Sequence, residues 1–140
     1  MIVSNAAPPA AKEMEMATRK ISKTEPSNLP KIGAAWPGVE GSIYAGVTTD
    51  PKGQLYALVL LADKPISWLN FKGANDWAKS IGATLFNRVE GAMLFANIRD
   101  QFERAWYWTS EADGASYAWY CGFGFGYQNY FHKSYEGCAR

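Results

Sequence analysis

Histidine occurs once in this chain and cysteine twice, and neither sign of charge prevails. Each scarcity removes a class of function. A lone histidine, His132, cannot build a His-rich metal centre, and Cys121 and Cys138 lack the close paired spacing of a zinc knuckle. No metal and no other cofactor is expected. Two cysteines are too few for a disulfide scaffold, so both are expected as free thiols, with Cys121 a small buried hydrophobe if it faces inward. With 14 basic against 13 acidic residues, the chain shows no electrostatic footprint for nucleic acid. No apolar run approaches the roughly 18 to 20 residues of a membrane helix. The longest, Leu55 to Ala62, reads as a strand, and no membrane insertion is expected. The first residues set no basic stretch before an apolar one, so no signal peptide is expected.

Catalytic patterns are equally sparse. Gly122-Phe-Gly-Phe-Gly is glycine-rich, but it lies inside a strand pattern with no helix and no Lys-Ser/Thr pair after it, which excludes a phosphate loop. Glu111, Asp113 and Glu136 have no spacing of a known calcium loop and read as solvated carboxylates. One histidine and one inward cysteine form no recognised constellation, so the chain is not expected to be an enzyme.

Hydrophobic and aromatic residues are plentiful. With 140 residues, 48% of them hydrophobic, the chain suffices for one domain with a core and not for two. Residues 1–30 mix Ala, Pro, Lys, Glu, Ser and Thr with little apolar periodicity and are expected to be a flexible N-terminal arm ahead of a domain spanning 31–140. Two β-rich runs around Asp50-Pro-Lys-Gly predict a hairpin. Trp68, Phe71, Ala74, Trp77, Ala78 and Ile81 recur at three and four and predict a helix stopped by Gly82. A second helix is predicted from a cap at Asn87 to about Asp100, with Val89, Ala92, Met93, Ala96 and Phe95 on its buried side. Strands are expected over Ala105–Thr109, Tyr117–Phe125 and Asn129–Ser134, with a short one at Cys138–Arg140. This order is that of an α+β protein.

More than half of the aromatic residues lie between Ala105 and Arg140. In Tyr117–Phe125 the odd positions are the apolar ones. A three-residue loop at Gly126-Tyr127-Gln128 would set Phe123 opposite Phe131 and Phe125 opposite Asn129. That register makes Trp119, Phe123 and Phe131 a core face. It gathers Tyr120, Gly122, Gly124, Tyr130 and His132 on an outer face with Tyr127, Gln128 and Asn129 at its tip. Rigid amphipathic rings beside glycine suit a recognition surface.

Several segments carry a resemblance: Trp68 with Ala74, Trp77 and Ala78; Gly82 to Glu90 with Leu94 to Asn97; Trp106 to Glu111; Ala118 to Tyr120; and Lys133 to Arg140. They resemble a domain of unknown function found in phage proteins and bacterial surface proteins, among them the C-terminal domain of the collagen-like adhesin Lcl. The likeness covers about Ile32 to Arg140, with Phe86 where the family usually has proline and Cys138 where it has arginine. It implies a C-type-lectin-like fold, two helices packed on small twisted antiparallel sheets, with later strands presenting a ligand surface. It further implies a non-enzymatic phage or prophage protein, in the virion or the host cytoplasm, that binds a protein or glycan through Tyr120, Gly122, Gly124, Tyr127, Asn129, Tyr130 and His132; a homo-oligomer stays open. The alternative is a phage-encoded intracellular inhibitor of a host defence or enzyme complex. A third class, an enzyme of the formylglycine-generating branch of the same fold, would use Cys121 or Cys138 as its thiol.

Overall fold

The computed structural model describes Ile2–Val3 and residues 28–140. The expected arm over residues 1–30 falls outside the described residues except at Ile2–Val3 and 28–30. In chain order, the elements are β1 (Ile2–Val3), β2 (Ile43–Thr49), β3 (Leu55–Leu60), α1 (Phe71–Ser80), β4 (Thr84–Leu85), α2 (Arg88–Ile98), a 3-10 turn (Arg99–Gln101), β5 (Trp106–Asp113), β6 (Tyr117–Gly122) and β7 (Gln128–His132). They form an α+β arrangement of two helices and two small antiparallel sheets, ordered β2-β3-β1-β4 and β5-β6-β7.

The first sheet is built on the predicted hairpin. Asp50 organises its turn, its Oδ1 accepting from the backbone N–H groups of Lys52 and Gln54, an Asx-type device that bends the chain locally. One face of this hairpin sets Ala45, Leu58 and Leu60 against the α2 side of the core, while Tyr44, Ala57 and Val59 pack under Trp36 on the other.

Helix α1 matches its predicted stripe. Asn70 caps it by accepting from the Gly73 N–H at 2.8 Å, and Ala74 and Ala78 are fully buried. Trp68 precedes the helix and is exposed, so the stripe starts at Phe71. Helix α2 begins where expected, with a reciprocal capping box between Asn87 and Glu90, which satisfies two N–H groups the helix cannot pair internally. Its buried side is different from the expected one. Glu90, Gly91, Leu94 and Ile98 face inward, Met93 and Phe95 are half-buried, and Val89, Ala92 and Ala96 are exposed. Apolar side chains occur all round this helix, so periodicity could not select a face.

The second sheet divides the core. On one face, Trp108, Ala118 and Tyr120 pack with Ala74 and Ala78 of α1. On the other, Tyr107 and Cys121 join Phe86, Leu94, Ile98 and Phe102. Thr109 repairs an irregularity in the β5–β6 ladder: its buried hydroxyl donates to the Trp119 carbonyl and accepts from the Glu111 N–H. Cys138 runs beside β5 as a single parallel bridge to Tyr107, so the expected strand at Cys138–Arg140 is reduced to that contact.

Candidate functional site

The register of β6 with β7 decides which aromatic residues meet solvent. Tyr117 pairs with His132, Ala118 with Phe131, Trp119 with Tyr130, Tyr120 with Asn129 and Cys121 with Gln128. Relative to the expected pairing this is a slip by an odd number of residues, which exchanges faces. The cause is the turn. Strand β6 ends its pairing with β7 at Gly122, while the Phe123 N–H still donates to the Ala105 carbonyl beside β5 and its ring is buried, as expected, against Phe102 at 4.0 Å. The chain then closes through Gly126 N–H to Gly122 C=O and Gly122 N–H to Tyr127 C=O, both 2.8 Å. Gly126 adopts φ 83° directly over the Phe95 ring, where a Cβ would clash.

The corrections follow residue by residue. Tyr120 is 4% exposed rather than outward, stacked on Phe131 at 4.4 Å, and burial pushes its hydroxyl up to about 12, with Tyr127 adding to the effect. Gly122 is buried against the Tyr127 ring. Gly124 sits half-buried in the turn, and Phe125, expected on the core face, is exposed. Trp119, also expected in the core, is only half-buried. Asn129 is exposed but belongs to the Tyr120 side of the ladder. Tyr127, Tyr130 and His132 are exposed as expected, and Tyr130 and His132 share a face with Tyr117 and Trp119.

That face is an aromatic platform. Tyr130 meets Tyr117 edge-on at 5.8 Å and Trp119 edge-on at 5.5 Å. His132 lies 5.7 Å from Tyr117 and 6.5 Å from Tyr135. The Ser134 N–H donates to His132 Nδ1 at 3.2 Å, and the Ser134 hydroxyl lies 2.7 Å from the same nitrogen. At the helix end of the platform, the Arg88 guanidinium lies 3.7 Å above the Trp119 ring. Two bonds hold it: Arg88 Nε donates to Gln128 Oε1 and Gln128 Nε2 donates to the Arg88 carbonyl. Glu111 anchors the same turn by accepting from the Arg88 N–H at 2.6 Å.

The edge of β7 is partly closed. Pairing at Ser116–Lys133 and Gly122–Tyr127 directs the backbone groups of Tyr130 and His132 away from β6. The Tyr130 N–H is taken by Asn129 Oδ1 at 2.8 Å, and the His132 carbonyl accepts from the Tyr135 N–H at 3.0 Å. A free edge invites another strand, and these bonds blunt it. The face is open for contact, and the edge is blunted at these two groups.

Sequence reasoning missed Tyr117, Trp119, Tyr135 and Arg88 as members of the platform. A correct turn would have revealed the first two through their register. The Arg88–Trp119 stack joins a helix to a strand and leaves no local signal.

Cys121 is buried, and desolvation pushes its thiol up to about 12, so it is a protonated, apolar-like side chain. Among the described residues no group of three His, Cys, Asp or Glu side chains is placed to hold a metal ion, and no helix is long and apolar enough to cross a membrane. Compared with protein-family models, curated proteins and solved structures, the chain matches none of them.

Proposed function

We propose that this chain is a non-enzymatic binding module with a C-type-lectin-like fold, of the kind carried by phage and bacterial surface proteins, that engages a protein or glycan through the outer face of its C-terminal sheet. The observation that carries the reading is the exposed cluster of Tyr117, Tyr130, His132 and Tyr135 beside the Arg88–Trp119 stack. Large rings with few rotors contact much surface at low entropic cost, and Tyr, Trp and Arg dominate binding energetics in recognition surfaces. A contiguous set of exposed aromatics on a folded chain is the feature that most needs a partner. The α+β arrangement of two helices and two small antiparallel sheets supports the fold assignment.

The site shifts from the expected one. Tyr130 and His132 stay in it, Tyr127 and Asn129 are exposed on the Tyr120 side of the ladder instead, Tyr120 and Gly122 are buried, and Tyr117, Tyr135, Trp119 and Arg88 enter. Affinity capture from host lysate and a glycan array, each probed with wild type and with Tyr130→Ala/His132→Ala, tests it. Loss of a wild-type signal in the double variant, at unchanged melting temperature, is expected. An equal signal from both proteins removes the platform from consideration.

A further inference from the structure

Arg140 is a buried cation whose donors are only partly used. The residue is 6% exposed, its Nη1 donates to the Gln101 carbonyl at 2.8 Å, and its Nε is buried with no hydrogen-bond partner. No carboxylate forms an ion pair with it among the described residues. Desolvation lowers its pKa from the ordinary arginine value, yet a guanidinium keeps its charge in proteins. A buried charge without a counter-ion, and an N–H without an acceptor, are among the costlier arrangements a fold can hold. An anion at the accessible end of the guanidinium would offset the unpaired charge.

Arg140 also lines a cleft of about 380 Å³, on the β5 edge of the C-terminal sheet and away from the β7 platform. Its apolar lining comes from the exposed Ile66 and Trp68, the latter 66% exposed, and from the buried Phe102 and Tyr107. The half-buried Cys138 thiol, pushed up by desolvation, contributes neutral surface. Asp100 and Glu103 stand at the lining, balanced by Lys64 and Arg140. Those carboxylates disfavour a polyanion, and the walls favour an apolar body. The volume is at the small end of ligand pockets.

We propose that this cleft binds a small monocarboxylate with an aromatic or branched apolar body, its carboxylate held by the terminal Nη donors of Arg140 and its body lying against Trp68 and Ile66. Guanidinium–carboxylate pairing is charge-assisted and geometrically matched.

The test titrates 3-phenylpropionate, its neutral amide and inorganic phosphate into the full chain by calorimetry. The acid should bind at least roughly tenfold more tightly than the amide or phosphate. Arg140→Gln should erase the preference for acid over amide, and Trp68→Ala should weaken the acid several-fold at unchanged melting temperature. Because Trp68 is exposed and the acid–amide pair is read on the wild type, the test stands even if Arg140→Gln fails to fold. Equal affinity for acid and amide, phosphate matching the acid, or no heat from the acid up to about 10 mM overturns the proposal.

Discussion

The two faces of the C-terminal sheet are made from the same kinds of residue and have opposite fates. On one, Trp106, Trp108, Tyr120 and Phe131 pack edge-on or stacked beneath α1. On the other, α2 covers Tyr107 and Cys121 but stops short of β7, leaving Tyr117, Tyr130 and His132 in solvent. Ring content therefore says little about role. What matters is which helix reaches over which strand, and that depends on register and on where the helices begin. A face with a helix above it gains burial energy from each ring; a face without one holds the same rings available for a partner.

The sharpest way to break this contrast is to truncate one ring on each face. Trp108 is fully buried, and its Nε1 donates to the Leu69 carbonyl at 2.9 Å. Trp108→Ala should cost about 3–5 kcal/mol in denaturant unfolding, whereas Tyr117→Ala should stay within about 0.5 kcal/mol. Similar losses at both positions would mean that the outer face is packed after all.

Where α2 crosses the sheet, the contact is set by Gly91. A Cβ there would stand 2.6 Å from both Cys121 Sγ and the Phe86 ring, closer than real atoms approach. Gly→Ala inside a solvent-facing helix gains about 1 kcal/mol. Here overpacking should reverse the sign and cost about 1–3 kcal/mol, read as a lower denaturation midpoint. A stabilised Gly91→Ala variant would show that α2 lies farther from β6 than this.

These residues also explain what the sequence could reveal. Helix α1 was legible because Ala74, Trp77, Ala78 and Ile81 leave one polar side, and the first hairpin because Asp50-Pro-Lys-Gly leaves the chain few other conformations. The inward face of α2 was not, since a glycine and a glutamate occupy it: Gly91 is selected by close approach and Glu90 by its cap and by Tyr56, neither of which periodicity records. The β6–β7 register was misread for a related reason. Phe123 continues the alternation and is buried as expected between Phe86, Phe102 and Tyr107, but the pairing with β7 has already closed at Gly122 and Tyr127, ahead of the expected loop. Alternation reports which side chains are apolar and is silent about where the backbone stops being extended.

Glu90 tests the cost of that polar inward face. It is 1% exposed and accepts from the Tyr56 hydroxyl at 2.7 Å and from the Asn87 N–H at 2.8 Å. Burial raises its pKa above the ordinary glutamate value despite those bonds. A carboxyl raised in the folded state contributes stability that is complete below its unfolded pKa and is lost as pH rises through the folded one. Melting temperature should accordingly fall over the window above the ordinary glutamate pKa, and Glu90→Gln, which keeps an acceptor for the cap, should flatten that fall. Parallel profiles for the two proteins would assign the pH dependence elsewhere.

The smallest expected effect concerns how firmly the outer face is held. Arg88 keeps its plane on Trp119 through stacking and through the paired bonds with Gln128, and Trp119 in turn supports Tyr130 edge-on. Lysine preserves the charge but has neither the plane nor the Nε donor. Arg88→Lys should cost about 0.5–1 kcal/mol, and a double-mutant cycle with Trp119→Leu should recover most of that as coupling between the two positions. Ligand capture by Arg88→Lys should drop further than stability does, because a loosened Trp119 lets Tyr130 sample orientations that a partner must then freeze. A cycle with no coupling energy would leave the platform as separate rings on a sheet, unlike the interlocked face beneath α1.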